Sequence, residues 1–119
     1  MPSAAGVIDE GELMDRIGND LEFLSELAEV YRKEYPAQLS VARRALANSD
    51  ADKLGQASHA LKGALANLAA TEPSRTASAL EQIAASKDLA SAGSVLDRLE
   101  EELSSVLAHL QSLCQETAK

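Results

Sequence analysis

Residues 54–68 read LGQASHALKGALANL, and where these side chains fall around a helix decides how the chain folds. At 100° per residue, Leu54, Leu61, Leu65 and Leu68 lie within roughly 60° of one another, with His59 nearly opposite them. A helix over this stretch gives its leucines to a core and its imidazole to solvent. Lys62 and Gly63 share the His59 face one turn ahead, Gly55 and Gln56 one turn behind, and Ala66 and Asn67 two turns ahead. That outer face is sparsely furnished. Two glycines inside one helix each cost about 1 kcal/mol relative to alanine. Packing on the leucine side does not explain them, but they do bare the backbone around the imidazole.

Working outward, Asn48, Ser49 and Asp50 form a turn signal, with Ser49 as cap and Asp52 placed to assist it, and the helix is expected to run to about residue 69. Before it, Asn19 offers a cap with Glu22 three residues on. Leu21, Leu24, Ala28, Tyr31 and Tyr35 then recur at helical spacing, and Phe23, Leu27 and Val30 widen the stripe. The pattern resumes beyond Pro36 at Leu39, Ala42 and Leu46, which predicts a kink there and not a stop. Leu13, Met14 and Ile17 mark a short first helix ending at Gly18.

On the other side, Thr71 is the candidate cap of the next helix, Pro73 sits in its first turn, and Ala77, Leu80, Ile83 and Ala84 supply its buried stripe. The last helix shows the most regular seam: Leu89, Ala92, Leu96, Leu99, Leu103, Val106, Leu110 and Leu113. Its start stays open, because Gly93 weakens the first turns and Ser94 with Asp97 makes a second cap. The fold expected is all-α, an antiparallel four-helix bundle with a short additional N-terminal helix, in one domain over residues 1–119 with 1–8 flexible.

Composition agrees with this reading. The 119 residues are 45% apolar but only 3% aromatic, without tryptophan, so the core must be built from leucine and alanine, both strong helix formers. A net charge of -8 has the wrong sign for neutralising phosphates, which argues against nucleic acid. No apolar run approaches the ~20 residues of a membrane span, and the first eight residues lack a signal-peptide pattern. Cys114 is alone, so no disulfide closes within one chain, consistent with a reducing compartment and a cytoplasmic location.

Few side chains offer chemistry. There is no glycine-rich phosphate loop and no paired metal-ligand spacing, and no second ligand falls at i+3 or i+4 from His59, so no metal is expected. Glu100, Glu101 and Glu102 read as a solvated charge run, and His109 as a structural residue at the surface or boundary. His59 differs because its surroundings suit a nucleophile. An imidazole partly neutral near pH 7 attacks phosphorus directly, and a helix without bulk beside it admits a phosphodonor in line. Lys62 is placed to pair with the transferred charge, and Gln56 or Asn67 to add a hydrogen bond. The bland alternative, for an exposed histidine beside a lysine, is solvent decoration.

The run His59-Ala60-Leu61-Lys62-Gly63, continuing Ala64-Leu65-Ala66-Asn67-Leu68, resembles the signature of histidine-containing phosphotransfer domains, and the flanking helices fit that family along most of the chain. The resemblance implies a four-helix bundle and phosphorylation of His59. It implies exchange with the aspartate of response-regulator receiver domains, and with a hybrid sensor histidine kinase as a further partner. Lys62 and Gly63 carry over as the phosphate-side cation and the gap beside the histidine. The resemblance also implies that Mg²⁺ and the catalytic acid pocket belong to the partner, so that no cofactor is expected on this chain and it is a phosphocarrier and not an enzyme. Ala69 and Ala70 depart from the pattern, since many members have glycine after the Asn-Leu pair, and this bears on where the helix ends.

The expectation is a monomeric carrier that takes a phosphoryl group on His59 and passes it on. Its receiver docks over the small residues of the His59 face and over apolar side chains of the first and second helices. The competing reading is a helical module that binds a signalling partner, as scaffold or inhibitor, without being phosphorylated.

Overall fold

Leucines and alanines spaced three and four apart wind the chain into five helices in the computed structural model, which describes residues 7–117. They are α1 (Glu10–Arg16), α2 (Leu21–Ala47), α3 (Ala51–Asn67), α4 (Thr71–Ser86) and α5 (Ala92–Thr117). There is no strand among the described residues. The four long helices form a ring in which α2 packs on α3, α3 on α4, α4 on α5 and α5 on α2. Short connections turn the chain back on itself at each corner, as an up-and-down bundle requires.

The seam of α5 is the spine of the core: Ala92, Leu96, Leu99, Leu103, Val106 and Leu110 are all fully buried. Leu54, Leu61 and Leu65 of α3 meet it from the opposite side, as their angular grouping requires. Tyr31 is buried too, its hydroxyl donating to the Leu103 carbonyl at 2.7 Å and its ring stacked on Tyr35 at 4.7 Å. Burial pushes its phenol pKa upward. α2 runs through Pro36 as one helix, as the resumed stripe predicts. Its apolar stripe, however, is wider than the core it meets. Leu24 and Tyr31 are buried, whereas Leu21, Phe23 and Val30 stay exposed, together with Val41.

The caps of α2 and α3 sit one residue later than the sequence suggests. Asn19 and Ser49, expected to cap, instead adopt left-handed backbone (φ 58° and 53°), and the aspartate after each does the capping. Asp20 Oδ1 accepts from the Phe23 amide at 3.0 Å, and Asp50 Oδ1 from the Lys53 amide at 3.1 Å. The preceding helix must first close through a left-handed residue, a conformation asparagine tolerates better than most, and only then does the next one open. α3 stops at Asn67, two residues short of the expected end, and Ala69 takes the left-handed position (φ 58°) while the Ala70 amide donates to the Leu65 carbonyl. Thr71 does not cap α4; the cap position is Ala70, which has no side chain able to do so. Leu68, Ala69 and Ala70 are all buried in this corner, which leaves no space for a polar cap. α5 opens at Ala92, and Ser94 donates to the Ser91 carbonyl instead of capping.

α1 closes one end of the bundle. The Asp9 amide donates to the Ala69 carbonyl at 2.9 Å, the Arg16 guanidinium donates to the Ala66 carbonyl, and Leu13 is fully buried. Of residues 1–8, expected to be flexible, 1–6 lie outside the described residues; Ile8 is buried in the core cluster. Two charged-residue expectations change. His109 is buried, its Nε2 2.6 Å from Glu10 Oε2. Glu102 leaves the solvated run of its neighbours and turns inward, with one carboxylate oxygen buried.

Candidate functional site

The helix that gives its leucines to the core lifts His59 out of it. The His59 side chain is 67% exposed at the middle of α3, while Ser58 beside it is fully buried, its hydroxyl returned to the Leu54 carbonyl at 2.7 Å. The packing of α4 against α3 places Glu81, next to the fully buried Leu80, at the edge of the same surface. Glu81 then grips both basic groups. Its Oε2 lies 3.0 Å from His59 Nδ1 and its Oε1 2.8 Å from Lys62 Nζ.

This clasp selects the tautomer of the neutral imidazole. A carboxylate only accepts, so His59 Nδ1 donates to Glu81, and in the neutral ring the lone pair is then on Nε2. Lys62 beside Glu81, and then His59, hold the Glu81 carboxyl below the usual carboxylate range. The resulting unit is an exposed imidazole, a carboxylate beside it and an ammonium group one turn along.

The residues singled out from sequence divide on two sides of α3. Gln56 lines an open hollow between α3 and α4 together with His59, Glu81 and Gly55. Asn67 lies eight residues beyond His59, about 12 Å along the axis, and lines a different groove with Val30, Glu34 and Gln38 of α2 and Ala60 and Ala64 of α3. Asn67 is therefore not brought to the imidazole. The glycines divide as well. A Cβ on Gly63 meets nothing within 4 Å, so the gap there is open space. Gly55 instead faces α4, where a Cβ makes ordinary contact with Ala84 at 3.5 Å; it serves helix packing and not the bare surface around His59. Lys62 is not a free cation, being already held by Glu81.

Glu81 escaped the sequence reading. It lies 22 residues from His59, and only the packing of α4 on α3 joins them. Its one local sign is its place beside Leu80 at the rim of the α4 stripe, a position shared by many surface carboxylates. Among the described residues no group of three or more histidines, cysteines or acids is placed to hold a metal ion, and no helix is long and apolar enough to cross a membrane.

An exposed helical histidine, a cation one turn on and an open glycine beside it, on a four-helix ring, define a module built to present an imidazole. The Hpt domain family model matches residues 26–109, which contain the whole of this surface. The chain belongs to the Hpt domain family, whose members serve histidine phosphotransfer in two-component phosphorelays. No curated protein and no solved structure matches it.

Proposed function

We propose that this chain is a phosphorelay intermediate that accepts a phosphoryl group on His59 Nε2 from a receiver-domain aspartate and passes it to another receiver. The observation that carries this reading is the Glu81 clasp: its carboxylate lies 3.0 Å from Nδ1 of an imidazole whose side chain is 67% exposed, and in the neutral ring Nδ1 donates to it and Nε2 keeps the lone pair. In the forward step Nε2 forms the N–P bond as the O–P bond of the aspartyl phosphate breaks, and the aspartate leaves as carboxylate. The Nδ1 proton stays in place, so the phosphorylated ring is an imidazolium stabilised by Glu81. In the reverse step the same proton makes the ring a neutral leaving group. One carboxylate thus supports transfer in both directions without a proton changing hands.

Lys62 then trades partners. While the ring is bare its ammonium rests on Glu81; once the phosphoryl group arrives, the dianionic oxygens one turn away compete for it. Gly63 keeps open the volume that a donor domain must enter, since no group of this chain uses it. The docking patch is read as the groove between α2 and α3, where exposed Val30 lies with the small Ala64 and with Ala60, the residue after His59 in the chain. All four exposed large apolar side chains named above are on α2, so α1 supplies none to that patch among the described residues. His59, Lys62, Gly63 and Glu81 come from one copy, so the carrier is read as working alone, with a hybrid sensor kinase or receivers as partners and the Mg²⁺ chemistry on the partner's side.

The test is intact mass after incubation with a phosphorylated receiver, beside His59→Gln. An acid-labile, alkali-stable adduct of one phosphoryl group that needs His59 is expected. Receiver binding without any adduct overturns the carrier reading in favour of a binding module.

A further inference from the structure

The second histidine has no part in that chemistry, and its surroundings are unusual for a residue of its kind. His109 is 3% exposed, its Nε2 held by Glu10 Oε2 at 2.6 Å, and its Nδ1 is buried without any hydrogen-bond partner. Glu10 is the first residue of α1, a helix of seven residues, too short to persist in water on its own. The connection to α2 passes through two successive left-handed residues, Gly18 (φ 65°) and Asn19 (φ 58°). α1 also lies outside residues 26–109, the stretch that the family model matches.

We propose that α1 is a conditional strap, docked over the end of the bundle only while Glu10 supplies the carboxylate that buried His109 requires. Without that acceptor both ring nitrogens are buried and unpaired, and hydrating the ring requires α1 to lift. The strap holds more than itself. The Asp9 amide satisfies the Ala69 carbonyl and the Arg16 guanidinium the Ala66 carbonyl, so two acceptors at the C-terminal end of α3 depend on α1 being closed. Ala69 itself has left-handed backbone (φ 58°), a conformation that costs an alanine energy and that this hydrogen bond helps to hold. Opening α1 therefore loosens the α3–α4 corner while leaving the middle of α3, where His59 sits, packed on its buried leucines.

Amide hydrogen exchange on the full chain tests this, with Glu10→Ala beside the double variant Glu10→Ala/His109→Leu. In Glu10→Ala the amides of Leu13, Ile17 and Ala70 should exchange about tenfold or more faster, the factor that corresponds to one buried polar group left unpaired. Amides of Leu61 and Leu65 should be unchanged. Replacing both partners removes the unpaired group, so the double variant should recover most of the protection. Unchanged exchange in Glu10→Ala, or a double variant as loose as the single one, overturns the proposal.

Discussion

The molecule holds two histidine–glutamate pairs between neighbouring helices, and they have little else in common. His59 reaches Glu81 at 3.0 Å with 67% of its side chain exposed, and His109 reaches Glu10 at 2.6 Å with 4% exposed. In the first, the carboxylate binds one ring nitrogen and leaves the other to solvent, so the free nitrogen is available for reaction. In the second, the other nitrogen is sealed in the protein interior, where it has neither partner nor substrate. On the proposed function, the same two side chains therefore make a reactive site where α3 turns outward and a structural tie where α5 turns inward. Burial, more than the pairing itself, separates the roles.

The sharpest way to break this comparison is to remove each imidazole in turn. His59→Gln should abolish phosphoryl transfer and leave urea-induced unfolding within about 0.5 kcal/mol of the parent, as an exposed substitution does. His109→Ala should retain transfer and cost about 2 kcal/mol, from a lost buried side chain and its hydrogen bond. If both variants lost transfer, the division of roles would fail. Next in size is Glu81→Ala, which should slow transfer about tenfold. A charge-assisted hydrogen bond is worth about 1.5–3 kcal/mol, and the low end applies at an exposed site. Rapid-quench kinetics with a phosphorylated receiver reads this directly.

Smaller effects sharpen the account further. Gly63→Ala should raise stability by about 0.5–1 kcal/mol, because alanine favours helix and its methyl meets open space. The same change should slow transfer, and a stability gain with full transfer would show that the gap serves no partner. Ala69→Gly should also stabilise, by about 1 kcal/mol, by relieving a left-handed alanine, with transfer unaffected. The smallest effect concerns pH. Lys62, and after it His59, lower the pKa of Glu81, so the stability the clasp contributes is complete above the usual carboxylate range and is lost only as pH falls through that lowered value. The carboxyl carbon resonance of Glu81 should titrate at higher pH in Lys62→Met than in the parent.

Most of the bundle was legible because periodicity reports directly on burial. The opposition of Leu54, Leu61 and Leu65 to His59 needed nothing beyond the helical repeat, and the α5 seam likewise. The caps were misplaced by one residue at Asn19 and Ser49, since Asn, Ser and Asp all cap well and the sequence does not show which must first close the preceding helix in left-handed backbone. The breadth of the α2 stripe was visible, but not that Leu21, Phe23 and Val30 would lack a neighbour. Gln56 and Gly55 were rightly placed near His59, although Gly55 is explained by Ala84 and not by the imidazole. Glu81 and the burial of His109 were out of reach for one reason: each depends on a partner in another helix, and local spacing carries no information on that.

On the proposed mechanism, Glu81 keeps the proton on His59 Nδ1 so that Nε2 takes the phosphoryl group. Long-range ¹H–¹⁵N correlation spectra of the labelled protein, before and after incubation with a phosphorylated receiver, test it most directly. A protonated Nδ1 beforehand and a phosphoryl group on Nε2 afterwards are expected; a phosphoryl group on Nδ1, or a His59 ring unchanged by the receiver, would rule this mechanism out.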